Sequence, residues 1–287
     1  MSFKAAIKSN KFIVTTEICP PKGVEVKPIL EKASLLRGIV DAVNVTDNQR
    51  AKMNLSSLAF SRLLVEAGFD PIFQMTCRDK NALALQSDIL GAYALGIRNI
   101  LAISGDYPVG GKVRPVYDFD SVQLISTIKK MERDGEDTFG DKLLGSPEFM
   151  VGGAVNPGAE PLEPQIIKMK KKLEAGCDFF QTQVIYDIEV FKKFLKEANC
   201  PKTKIIAGIF PLKNYKLATF LNEKVPGVRV PKDILSRMEK ANDPEKEGLS
   251  IAAEMIKELK PICAGVHIMT LNNLEMVSAL VSMTNLK

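Results

Sequence analysis

The sequence has 287 residues, 46% of them apolar and 25% charged, an ordinary globular composition that excludes a disordered or collagen-like chain. This length suits one (β/α)₈ barrel and is enough to bury a large core without disulfides or metals. The formal net charge of +5 is mild, and the one dense basic cluster (Lys168, Lys170, Lys171, Lys172) is too small to propose nucleic-acid binding, though it would suit an anionic ligand.

In chain order, short apolar runs rich in β-branched residues recur at 12–18, 42–46, 71–76, 99–103, 149–155, 179–183, 204–209 and 266–270. Runs of this kind read as parallel strands buried on both faces. A stretch with helical spacing follows each one: Leu30, Ala33 and Leu36 after the first, Leu58, Leu63 and Ala67 after the second, and so on to Leu274, Met276 and Leu280 after the last. Gly38, Gly68, Gly96 and Gly176 stand where helices end and a left-handed residue is needed. Strict alternation of eight strand–helix units predicts a closed TIM barrel, a single domain over residues 1–287. An open doubly wound sheet is the alternative, because strand order is not written in one sequence. Three insertions break the rhythm: a Gly- and Pro-rich segment at 107–118, a polar loop at 134–146, and extra helices at 231–259, before strand eight.

Chemistry in such barrels sits at the carboxyl ends of the strands. Two acids fall directly at a strand end beside a backbone-restricting residue: Glu17 ahead of Pro20 and Pro21, and Asp106 after Gly105. A carboxyl group at an apolar mouth loses hydration, which suits a general acid. A salt-bridged strand-end carboxylate is the plain alternative for Glu17, and a turn residue for Asp106. Other candidates are weaker. His267, the only histidine, reads as packed inside strand eight and has no partners for a metal site. Five cysteines form no C-x-x-C pair and no disulfide framework, and none has a base at a telling distance. Gly110–Gly111 reads as a loop and not as a phosphate cradle, since no Walker or dinucleotide fingerprint occurs. No charged-then-apolar leader and no membrane-length apolar run are present, so a cytoplasmic protein without membrane insertion is expected. The residues by themselves point to a small-molecule barrel enzyme with two carboxylates at its mouth.

The strand ends resemble those of the methylenetetrahydrofolate reductase family. The resemblance runs through Thr15-Thr16-Glu17-Ile18-Cys19-Pro20-Pro21, Val43-Asn44-Val45-Thr46, Met75-Thr76-Cys77, Ser104-Gly105-Asp106-Tyr107-Pro108, Lys170-Lys171-Lys172-Leu173-Glu174-Ala175-Gly176 with Thr182-Gln183, and Thr270-Leu271-Asn272. It implies a flavin at the carboxyl-end face and hydride transfer to 5,10-methylenetetrahydrofolate, giving 5-methyltetrahydrofolate. On this resemblance Glu17 is the general acid that opens the folate ring, Asp106 lies near flavin and pterin, and Gln183 and Tyr215 contact substrate. Thr46, Gln74, Ser104, Gly105, Asp106, Asn156, Lys171 and Lys172 are the implied cofactor contacts. Gln74 stands where the family has His, Ser104 where it has Arg, and Gln165 and Lys168 where it has Asp and Asn. FAD is the family default, and these departures make FMN a serious alternative. They leave NADH, NADPH or an iron–sulfur and zinc partner subunit as electron donor; an oligomer is expected. A flavin-independent lyase or aldolase and a non-catalytic folate-binding subunit are the competing readings; no strand-end lysine favours the former.

Overall fold

In the computed structural model, the described residues are 2–9, 11–108 and 113–286. Helix α1 (Phe3–Lys8) precedes β1 (Ile13–Ile18), and the alternation then runs α2 (Lys27–Ala33), β2 (Ala42–Val45), α3 (Ser57–Glu66), β3 (Pro71–Thr76), α4 (Ala82–Ala94) and β4 (Asn99–Ile103). It continues through α5 (Ser121–Asp134), β5 (Met150–Val155), α6 (Glu163–Glu174), β6 (Phe179–Val184), α7 (Ile188–Ala198) and β7 (Lys204–Ile209). Helices α8 (Tyr215–Lys224), α9 (Lys232–Lys240) and α10 (Pro244–Leu259) come before β8 (Gly265–Ile268) and α11 (Leu274–Thr284).

The eight strands are parallel and close in sequence order. The seam pairs Ile13 with Gly265 and Thr16 with Ile268, so the chain is a TIM barrel and not an open sheet. Gly38, Gly68, Gly96 and Gly176 all have φ between +75° and +99°, the left-handed conformation expected of them at helix ends. The extra helices before strand eight are present, with α10 packed on β7 and α11. The segment 134–146 is largely exposed, closed by a bridge between Glu136 and Lys142 and pinned to α4 by Thr138 N donating to Gln86 Oε1 at 2.7 Å. Among the described residues all five cysteines are free, and no helix is long and apolar enough to cross a membrane.

Alternation along each strand sends every second side chain into the barrel, where they form layers. The lowest layer is apolar: Ile13, Ala42, Ile72, Leu101, Met150, Phe179 and Ile206, closed from below by Phe3, Ala6 and Ile7 of α1. This short helix was not foreseen from the sequence. Phe3 packs edge-on against Phe179 with ring centroids 5.1 Å apart, and its N–H donates to Asp70 Oδ2 at 2.6 Å.

The layer above is polar. Asn44 Nδ2 donates to Gln181 Oε1 at 2.7 Å, Gln181 Nε2 donates back to Asn44 Oδ1 at 3.0 Å, and it also reaches Thr15 Oγ1 at 3.4 Å. Thr15 Oγ1 lies 3.0 Å from His267 Nδ1. Buried polar groups of this kind are tolerable only when they satisfy one another. Here they form the floor on which the mouth of the barrel rests.

Candidate active site

Two residues beyond Thr15 on β1, the same inward face carries Glu17, which is 7% exposed. Its Oε2 accepts from Gln49 Nε2 at 3.4 Å and lies 3.9 Å from His267 Nε2. The carboxyl group therefore stands on the polar floor, held from the side by the loop after β2 and from below by β8. His267 is buried and hydrogen-bonded within the barrel, as a packed histidine should be, yet it is also the group nearest the carboxyl from beneath. The end of β1 is pinned to the loop after β8 by Asn272, whose Oδ1 accepts from Cys19 N at 2.8 Å while its Nδ2 donates to Cys19 O at 3.0 Å.

Beside this carboxyl, a cleft of about 330 Å³ opens over the ends of β2 to β5, with α6 along its side. Of the implied cofactor contacts, it brings together Gln74, Ser104, Gly105, Asp106 and Lys172, and it adds Gln165 and Lys168. Ala154 on β5, another wall residue, is the one strand residue of the barrel that is exposed. Gly105 has φ +86°, and a Cβ built on it would collide with Thr76 Oγ1. Only glycine fits that turn. Lys172 is buried; desolvation, followed by the neighbouring Lys168 charge, lowers its amine to about 8, and its Nζ donates to Ala154 O at 2.6 Å. Thr46 Oγ1, at the end of β2, is buried without a hydrogen-bond partner among the described residues, as is Thr270 Oγ1 at the end of β8. A buried hydroxyl with nothing to bond is costly, and a ligand with a polar edge would relieve it.

Other expected contacts lie elsewhere. Lys171 is exposed and is not part of the cleft wall. Asn156 turns aside, donating to Pro226 O at 3.1 Å and accepting from Gly158 N at 3.2 Å. Gln183 is half-buried, and its Oε1 accepts from Val184 N at 3.0 Å, which leaves its amide NH₂ to donate. Tyr215 is 40% exposed at the first turn of α8. Gly110–Gly111 lies outside the described residues.

Several wall residues are not marked as site residues by the sequence, among them Gln49, Asp47 and Arg78. Asp47 is buried; burial raises its carboxyl above the usual range, and it accepts from Ser57 Oγ and Thr76 N, both at 3.0 Å. Arg78 is 1% exposed and lines both this cleft and a neighbouring one of about 220 Å³. The signal for Asp47 is its place at a strand end; nothing local in Cys77-Arg78-Asp79-Lys80 marks Arg78.

Comparison with known proteins follows the whole barrel. The family described as Methylenetetrahydrofolate reductase matches residues 2–285. A 5,10-methylenetetrahydrofolate reductase of Pectobacterium carotovorum subsp. carotovorum is 27% identical over 284 residues, covering 93% of this chain and 88% of its own. A probable methylenetetrahydrofolate reductase (NADPH) of Caenorhabditis elegans is 27% identical over 232 residues, 77% of this chain. The matched part is only 33% of that relative, and 36% of the methylenetetrahydrofolate reductase (NADH) 1 of Arabidopsis thaliana. Among solved structures, a Clostridium thermocellum protein described as binding two copies of 5-methyl-5,6,7,8-tetrahydrofolic acid superposes with a TM-score of 0.68 at 16% identity, covering 99% of each chain. That likeness concerns the fold.

Proposed function

The chain belongs to the methylenetetrahydrofolate reductase family, and from that premise we propose that it reduces 5,10-methylenetetrahydrofolate to 5-methyltetrahydrofolate at the mouth of its barrel. The observation that carries this reading is the buried Glu17 carboxyl, contacted by Gln49 of the cleft wall. Ring opening of the folate requires a proton on the departing nitrogen, and a desolvated carboxyl held in place is suited to deliver it. Beneath it stands His267, with Nε2 3.9 Å from Glu17 Oε2 and Nδ1 3.0 Å from Thr15 Oγ1.

A flavin fits the residues present. The unpaired hydroxyl of Thr46, the Ser104–Gly105–Asp106 turn, Gln74 and the Lys172 amine would hold it, and when bound it supplies the hydride for the methylene carbon. Lys168 and Lys172 in the cleft wall suit a phosphate, which FMN and FAD both carry; Gln165 and Lys168, standing where the family has Asp and Asn, keep FMN beside the family's default FAD. Asp106 and the free NH₂ of Gln183 would orient the pterin, and the ring of Tyr215 offers a stacking face. Relatives named for NADPH and NADH support a nicotinamide donor; a partner subunit carrying iron–sulfur and zinc centres is the other source. We place the protein in the cytoplasm, where its free thiols would stay reduced.

Purified protein should be yellow, with the flavin identified by chromatography after extraction. Glu17→Gln should retain flavin reduction by dithionite or a nicotinamide and lose folate reduction by at least about 100-fold. A variant that turns over methylenetetrahydrofolate at the parent rate would remove Glu17 from the chemistry, and a protein that takes up no flavin would end the reading.

A further inference from the structure

Arg78 lies outside every helix and strand, yet it is the largest fully buried side chain among the described residues. A buried guanidinium is costly unless its donors are filled, and here the partners come from several loops. Nε and Nη2 form a two-pronged pair with the Asp79 carboxylate, at 2.7 Å each. Nη2 also donates to Asn48 O at 2.9 Å, and Nη1 to Asp106 O at 3.3 Å. The backbone joins in, because Arg78 O accepts from Val116 N at 2.8 Å and Arg78 N donates to Thr76 Oγ1 at 3.4 Å.

One side chain thus ties the loop after β2 to the turn after β4. That loop carries Gln49, which donates to Glu17; that turn carries Asp106. Each has an unusual backbone, with positive φ at Asn48, Arg50 and Ala51 in the loop and at Gly105 in the turn, and such conformations persist when their surroundings over-determine them. We infer that Arg78, clamped by Asp79, is a positioning residue that fixes the Asp106 turn relative to Glu17 and so sets how the folate is presented to its acid. The inference rests on the function proposed above. Lysine is no substitute, since a single ammonium cannot reproduce a planar fork that spans a carboxylate and two carbonyls.

The test is a double-mutant cycle on the full-length, flavin-loaded protein: Arg78→Lys, Asp106→Asn and the pair, with kcat and KM measured for methylenetetrahydrofolate. Arg78→Lys should lower kcat/KM about 10- to 100-fold, the loss that follows from a displacement on the order of 1 Å. In the Asp106→Asn background the same change should cost less than about threefold, because residues acting through one another are not additive. A purely structural Arg78 would lower the melting temperature and leave these constants and their coupling unmoved; additive losses or parent-like kcat/KM overturn the inference. If Arg78→Lys does not fold, Asp79→Asn enters the same cycle, since it loosens the clamp and keeps the guanidinium, and additivity there has the same force. A parent protein that binds flavin but never turns over the folate fails differently: the proposed reaction falls, and the inference with it.

Discussion

At the scale of single residues, Lys171 and Lys172 show what a sequence conceals. Both sit in one basic run and both resemble family contacts, but one helical step of about 100° separates their directions, and only Lys172 turns into the cleft. Its lowered value of about 8, caused first by desolvation, gives a prediction. Below pH 8 the amine carries its charge and attracts a phosphate; as pH rises through 8 the empty site gives up that proton. The affinity for flavin mononucleotide should therefore weaken above pH 8, by up to about tenfold at pH 9. Fluorescence titrations at pH 7 and pH 9 measure this, with Lys172→Gln expected to flatten the difference. A parent affinity equal at both values would remove Lys172 from the phosphate end. Arg78 was illegible for another reason: burial of a charged turn residue depends on partners 28 and 30 positions away, and no local pattern announces them.

Elements were read more readily than residues. Each of the eight apolar runs is a strand, with ends shifted by at most two positions: β1 begins at Ile13, β6 runs on to Val184, and β8 stops at Ile268. A parallel barrel strand is buried on both faces, so its apolar run is itself the element. Helix α1 escaped notice because six residues are too few to display a period. It nevertheless seals the lowest layer, where Phe3 is 0% exposed against Phe179. Phe3→Ala should cost about 3–5 kcal/mol, the usual range for emptying a phenylalanine site. Urea unfolding would measure the loss; a cost under about 1 kcal/mol would mean that α1 is only laid on the barrel and does not close it.

Across the whole molecule, the barrel assigns its two faces different work. The apolar plug lies at the amino ends of the strands, while Glu17, Asp106 and the cleft lie at the carboxyl ends, with a polar layer between them. Phe3→Ala should therefore leave flavin affinity within about twofold of the parent while stability falls, in keeping with the division between faces in such barrels. The loop from Asn48 to Ala51 complicates that division. Left-handed backbone costs an ordinary L-residue about 1–2 kcal/mol, and Ala51 has φ +54° with no side-chain oxygen to compensate. Glycine, which usually loosens a protein, would relax this arch, so Ala51→Gly should raise the denaturation midpoint. A firmer fold could come with a slower enzyme, because the arch also carries the amide that steadies the acid. Tension in a rim loop would then be part of the working machinery, and laboratory selection for heat resistance alone would tend to erase it.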